Sequence, residues 1–100
     1  MVGRLTLLYS KHTSLYPSMR ILIIDDDTEL CDLLTEYLEQ EGFIVQVCHD
    51  AQQGLAAAFS GDHAFLILDV MLPGFSGFDL LRQVRLSSAV PVLMLTAKGQ

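Results

Sequence analysis

Positive charge is scarce in this 100-residue chain, where 6 Lys and Arg stand against 12 Asp and Glu for a net charge of −6. Residues 1–18 hold Arg4 and Lys11 and no acid, so residues 19–100 carry −8. A segment of that charge does not grip nucleic acid through its phosphates, and it suits a cation as ligand. Cysteine is nearly absent. Cys31 and Cys48 have no metal-ligand spacing, and they fit the reduced, buried thiols of a cytoplasmic protein. Long apolar runs are missing as well. Residues 65–68 are typical and far too short to cross a bilayer. The apolar part of residues 5–9 is shorter than a signal-peptide core, and Lys11 and His12 follow it. Neither a membrane role nor secretion is expected. There is no internal repeat or low-complexity tract. What the chain does have is 51% hydrophobic content, enough for the core of one small domain.

Residues 1–18 show no clear period and are rich in Ser, Thr, Lys and Tyr, with Pro17 just before Met19. They read as a poorly ordered leader before a domain over 19–100. Met19 as the natural start is the alternative, and an extra strand or helix over 5–9 the weaker one. Residues 20–24 form a short apolar run, the mark of a strand covered on both faces. It ends in Asp25, Asp26 and Asp27. From Thr28, Leu30, Leu33, Leu34, Tyr37 and Leu38 fall on a helical stripe. Asp26 or Asp27 caps that helix, Gly42 stops it, and Glu29, Asp32, Glu36, Glu39 and Glu41 lie on its solvated face. A strand over 43–48 follows. After His49 and Asp50 comes a second helix over 51–59, alanine-rich and interrupted by Gly54, ending at Gly61 and Asp62.

The stretch that organises the chain is A-F-L-I-L-D-V-M-L-P-G-F-S-G over 64–77. An apolar strand over 65–68 ends in a single carboxylate, Asp69, and breaks into a loop with a Pro73-Gly74 turn. Ser76 caps a third helix over 77–86 with Leu80, Leu81 and Val84 inward, and Pro91 opens a fourth strand over 92–95. The order β-α-β-α-β-α-β with short connections predicts an α/β fold, a doubly wound parallel sheet with right-handed crossovers.

Parallel strands put all their C-terminal ends on one edge, where ligands of open α/β sheets bind. Asp25 and Asp26, Asp69, and Thr96 each follow an apolar strand directly. Clustered carboxylates repel and need a cation or a proton to coexist. A hard cation such as Mg²⁺, held by carboxylates, water and a phosphate oxygen, meets that need. Asp69 is then a candidate nucleophile toward a phosphoryl group, and the Thr96 hydroxyl a hydrogen-bond donor to the product. For each acid taken singly, helix capping or turn formation is the plain alternative.

I-L-I-I-D-D-D over 21–27, L-D-V-M-L-P-G over 68–74 and V-L-M-L-T-A over 92–97 resemble the receiver domain of bacterial two-component response regulators. The third run is most similar to the OmpR-like class, whose members carry a C-terminal winged-helix DNA-binding domain. The resemblance covers 19–100 and implies a flavodoxin-like fold. It makes Asp69 the phosphoacceptor, Asp25 and Asp26 the acidic pair, and Asp26, Asp69 and the Met71 backbone carbonyl direct Mg²⁺ ligands. Thr96 becomes the switch hydroxyl. It implies a histidine kinase as phosphoryl donor and a second copy as dimer partner. It also implies a signalling domain, not an enzyme with a separate substrate, whose phosphorylation controls transcription through a winged-helix domain. The family pattern continues into a fifth strand with a phosphoryl-binding lysine, an aromatic switch residue and a fifth helix, which with most of the dimerising face lie beyond residue 100. Lys98 does not match that lysine. The chain therefore reads as a truncated product or fragment, with strand 92–95 an unpaired edge.

Two other readings compete. A haloacid-dehalogenase-like phosphatase needs D-x-D-x-T/V, and Asp25-x-Asp27 is followed at the required place by Glu29, so it fails. An inactive receiver remnant, acting at most as an interaction module, is separated from a working receiver by Mg²⁺-dependent phosphorylation. His12, His49 and His63 read as exposed loop histidines, not phosphodonors. Met71, Met94, Phe43, Phe59 and Phe65 read as core or loop packing.

Overall fold

The structure, a computed structural model, describes residues 19–96. The expected leader over 1–18 with His12, and Lys98, lie outside the described residues. Nine elements follow in order: β1 (Arg20–Ile24), α1 (Thr28–Gln40), β2 (Ile44–Cys48), α2 (Ala51–Ser60), β3 (Phe65–Asp69), β4 (Met71–Leu72), β5 (Phe75–Ser76), α3 (Gly77–Arg85) and β6 (Val92–Leu95).

β1, β2, β3 and β6 form one all-parallel sheet in the order β2-β1-β3-β6. Their apolar runs are what a parallel sheet demands, because helices cover both of its faces. Ile21, Leu22, Ile23 and Ile24 are completely buried at the centre. Alternation along the strands divides the core in two. Leu22, Ile24, Leu66 and Leu68 pack with Ala57 of α2 and with Leu80 and Val84 of α3. Ile21, Ile23 and Ile67 face the other way, onto Cys31, Leu34 and Leu38 of α1. The doubly wound, flavodoxin-like architecture is as the element order predicts. β1 connects outward to β2, and β3 lies on its opposite side, so the strand order reverses between β1 and β3. That reversal opens a crevice at the carboxyl ends of β1 and β3.

Caps set the helix starts. Asp27 Oδ1 accepts the Leu30 N–H at 3.0 Å, Asp50 Oδ1 the Gln53 N–H at 2.8 Å, and Ser76 Oγ the Phe78 N–H at 3.1 Å. Between Asp26 and Asp27, the alternatives left by the sequence, Asp27 is the cap.

Several expectations need correction. The stripe on α1 is turned by about one residue: Leu33 is 65% and Tyr37 61% exposed, whereas Cys31 is buried and Leu34 and Leu38 half-buried. Small, apolar Cys31 sets the centre of the inner face, and the leucine count alone missed it. Gly54 does not interrupt α2, which runs on through it. It lies so close to Ile24 of β1 that an added Cβ would meet the Ile24 side chain at 2.6 Å. The stretch after Asp69, read as a loop, holds a two-stranded antiparallel hairpin pairing Met71 with Ser76 and Leu72 with Phe75 around the Pro73-Gly74 turn. Buried Leu72 anchors it to the core. Phe59 is exposed rather than packed in the core. Among the described residues β6 pairs only with β3, as an edge strand whose Leu93 is exposed.

Candidate functional site

Three strand ends meet at the crevice. Asp25 follows β1, Asp69 closes β3, and Thr96 follows β6 beside Leu95, which is in register with Asp69. Oxygens of Asp25, Asp26 and Asp69 all lie within 4.8 Å of one another. With Met71 and Thr96 they line a depression of about 430 Å³. The structure thus brings together all five of the site residues named from the sequence. Asp27 is engaged as the α1 cap.

Asp25 is the buried member of the cluster, 3% exposed. Its Oδ1 accepts the Asp27 N–H at 2.9 Å. Burial pushes its carboxyl above the usual range, and the charges of Asp69 and Asp26 push the same way. The Asp27 N–H opposes them. Asp26 is exposed and Asp69 half-buried. Asp69 Oδ1 accepts the Met71 N–H at 3.1 Å, which orients the carboxylate over the start of the hairpin. The loop behind it is tied down by main chain. Val70 donates to the Leu95 oxygen at 2.9 Å, and Gly77 donates to the Val70 oxygen at 2.7 Å.

Oxygen-only ligands, close together and mutually repelling, fit a hard divalent cation. The raised proton affinity of Asp25 comes first from its burial, with the repulsion of Asp69 and Asp26 adding to it.

The sequence reading missed a second layer around Asp25. Its N–H donates to the Cys48 oxygen at 3.1 Å. Its carbonyl oxygen accepts from His49 Nδ1 at 2.9 Å and from Cys31 Sγ at 3.5 Å. Burial, with Asp25 next in weight, pushes the Cys31 thiol up to about 11 and keeps its hydrogen in place. The signal was present in the register: Ile24 pairs with Cys48, so the residues after β1 and β2 are neighbours. His49, read as an exposed loop histidine, is exposed and is in addition hydrogen-bonded to the main chain of the site. His63 is half-buried and lies away from it, its Nε2 3.0 Å from Gln46 Oε1.

Comparison with known proteins agrees with this geometry. The family model of the response regulator receiver domain matches residues 21–100. The transcriptional regulatory protein CpxR of Escherichia coli (strain K12) is 48% identical over 80 residues, 80% of this chain and 34% of that protein. The chain thus spans about a third of the length of the curated relatives it matches. Among solved structures, response regulator protein TrrA from Thermotoga maritima, in complex with Mg²⁺-BeF, superposes with a TM-score of 0.75 at 32% identity, covering 81% of this chain and 71% of that one. A complex of histidine kinase ThkA with TrrA matches with a TM-score of 0.74 at 31% identity, covering 82% of this chain and 72% of that one. Among the described residues, no helix is long and apolar enough to cross a membrane.

Proposed function

The chain belongs to the response regulator receiver family, and from that premise we propose that Asp69 accepts a phosphoryl group from a histidine kinase in a reaction that needs Mg²⁺. The observation that carries the reading is the convergence of Asp25, Asp26 and Asp69 at the strand-order reversal. An Asp69 carboxylate oxygen attacks phosphorus. The P–O bond forms as the P–N bond of a phosphohistidine breaks, and the bonding pair leaves on an imidazole already protonated at its other nitrogen. Asp25, Asp26, Asp69 and the Met71 carbonyl would hold the Mg²⁺, which would supply positive charge for the carboxylates and the phosphoryl oxygens. Asp25 is the deeper holder and Asp26 the one open to solvent. The Met71 N–H keeps Asp69 oriented, and the Thr96 hydroxyl donates to a phosphoryl oxygen in the product.

The kinase reading is supported by the ThkA–TrrA complex of a relative of the same fold, and the transcriptional reading by CpxR-like relatives. In a longer protein, phosphorylation of Asp69 biases a two-state equilibrium that an attached DNA-binding domain reads. The receiver's own acidic surface takes no part in gripping DNA. A second copy is the natural dimer partner in that scheme, and the cytoplasm its compartment.

The test is the intact mass of the chain after incubation with acetyl phosphate and Mg²⁺. Wild type gains one phosphoryl mass, and neither Asp69→Asn nor an EDTA-treated sample does. No gain in a folded chain overturns the reading and favours an interaction module.

A further inference from the structure

The peptide that joins Asp25 to Asp26 is held from outside its own strand. Its carbonyl oxygen, that of Asp25, accepts from His49 Nδ1 at 2.9 Å and from Cys31 Sγ at 3.5 Å. A carbonyl has no hydrogen to give, so in this arrangement Nδ1 carries the proton. The thiol is a weak donor and the imidazole a strong one. Most of the restraint therefore comes from His49. The Asp25 N–H is separately fixed to the Cys48 oxygen, so the end of β2 grips Asp25 on both sides.

The plane of this peptide sets the directions in which Asp25 and Asp26 leave the main chain. One carboxylate is buried and the other exposed, so a rotation of the plane cannot be corrected equally at both. We propose that His49 is a positioning residue of the acidic site, holding the Asp25–Asp26 peptide so that both carboxylates are presented to one divalent cation. This rests on the reading of the site as a metal-binding phosphoacceptor. His49 touches neither the cation nor the phosphoryl group. It acts through the main chain, as outer partners of metal ligands do. Its exposed ring is removable without hollowing the core.

The experiment follows Mg²⁺ binding directly, by amide shifts of the ¹⁵N-labelled full chain titrated with MgCl₂, beside urea unfolding of each variant. His49→Ala is expected to raise the Mg²⁺ dissociation constant about fivefold, the scale of one net hydrogen bond. His49→Asn, which keeps a side-chain N–H at similar reach, is expected to bind within about twofold of wild type, since the hydrogen bond is restored. A merely structural role predicts no such rescue at equal stability. If His49→Ala binds Mg²⁺ as tightly as wild type, the role of His49 is overturned and the metal site stands. If wild type shows no Mg²⁺-dependent shifts, the reading of the site fails and the role of His49 with it. Should His49→Ala not fold, the imidazole ¹⁵N shifts of wild type decide. An Nδ1–H tautomer supports the proposal, and an Nε2–H tautomer overturns it.

Discussion

The two edges of the parallel sheet are built on opposite terms. At the carboxyl edge, Asp25, Asp26 and Asp69 crowd within 4.8 Å, and Asp25 is buried besides. At the amino edge the groups are satisfied pairwise. Ile44 donates to the Met19 oxygen at 2.9 Å and Leu66 to the Pro91 oxygen at 2.9 Å, and His63, just before β3, reaches Gln46 in the middle of β2 at 3.0 Å. The same strands thus end well matched on one side and strained by like charge on the other. The contrast marks the carboxyl edge as the candidate site, because clustered like charge with a buried member is the kind of arrangement concentrated at functional sites.

The largest expected effect comes from one substitution made at each edge. At the carboxyl edge, a Cβ on Gly77 would overlap the Asp69 main-chain oxygen and press on the Val70 backbone, neither of which can move without shifting the site. Gly77→Ala is expected to cost about 3 kcal/mol in urea unfolding. At the amino edge, the nearest atoms a Cβ on Gly61 would meet all belong to the His63 ring, a side chain that can swing away. Gly61→Ala is expected to cost about 1 kcal/mol, the worth of the lost Gln46 hydrogen bond. Equal losses would break the comparison.

Next in size is Asp25→Asn. Burial and its neighbours raise the folded carboxyl above its ordinary 3.8, so the folded chain holds the proton more tightly than the unfolded one. The stability this gives is complete below pH 3.8 and is lost as pH rises through the raised value. At neutral pH and without divalent cation, Asp25→Asn is therefore expected to be about 1 kcal/mol more stable than wild type, the scale of one such repulsion. It should also flatten the pH dependence of the denaturation midpoint in that window.

The amino edge is expected to show the opposite sign at smaller size. Burial lowers the His63 pKa from its ordinary 6.5, with Arg20 pushing the same way and Asp62 opposing. The unfolded chain then takes up a proton that the folded chain refuses. The resulting stability is full above pH 6.5 and is lost as pH falls toward the folded value. His63→Gln is expected to remove that acid-side slope, worth about 0.5 kcal/mol at pH 5.5, the low end of a net hydrogen bond. An unchanged slope in the denaturation midpoint between pH 5 and 7 would contradict this assignment.

The carboxyl edge was readable in the sequence because apolar strands of parallel-sheet type run straight into Asp25, Asp69 and Thr96, and parallel pairing leaves those ends nowhere else to go. The strand bounds of β1 and β6 were legible for the same reason. What escaped was relational. The phase of α1 depended on Cys31 packing against Ile21 and Ile23, which a count of leucines does not register. The hairpin after Asp69 depends on Leu72 reaching the core, and two-residue strands leave no periodicity to read. The grip of His49 on Asp25 needs the β1–β2 register, which exists only once the strands are paired.

The most direct test is the unfolding free energy of the chain at pH 7.5 as a function of Mg²⁺ concentration. The account predicts that wild type gains about 1.4 kcal/mol for each tenfold rise in Mg²⁺ above its dissociation constant, as one site binding only the folded state requires. Asp26→Asn, which leaves the buried core untouched, should lose most of that dependence. A wild-type stability indifferent to Mg²⁺ would contradict the claim that the carboxylates of β1 and β3 were gathered to hold a cation.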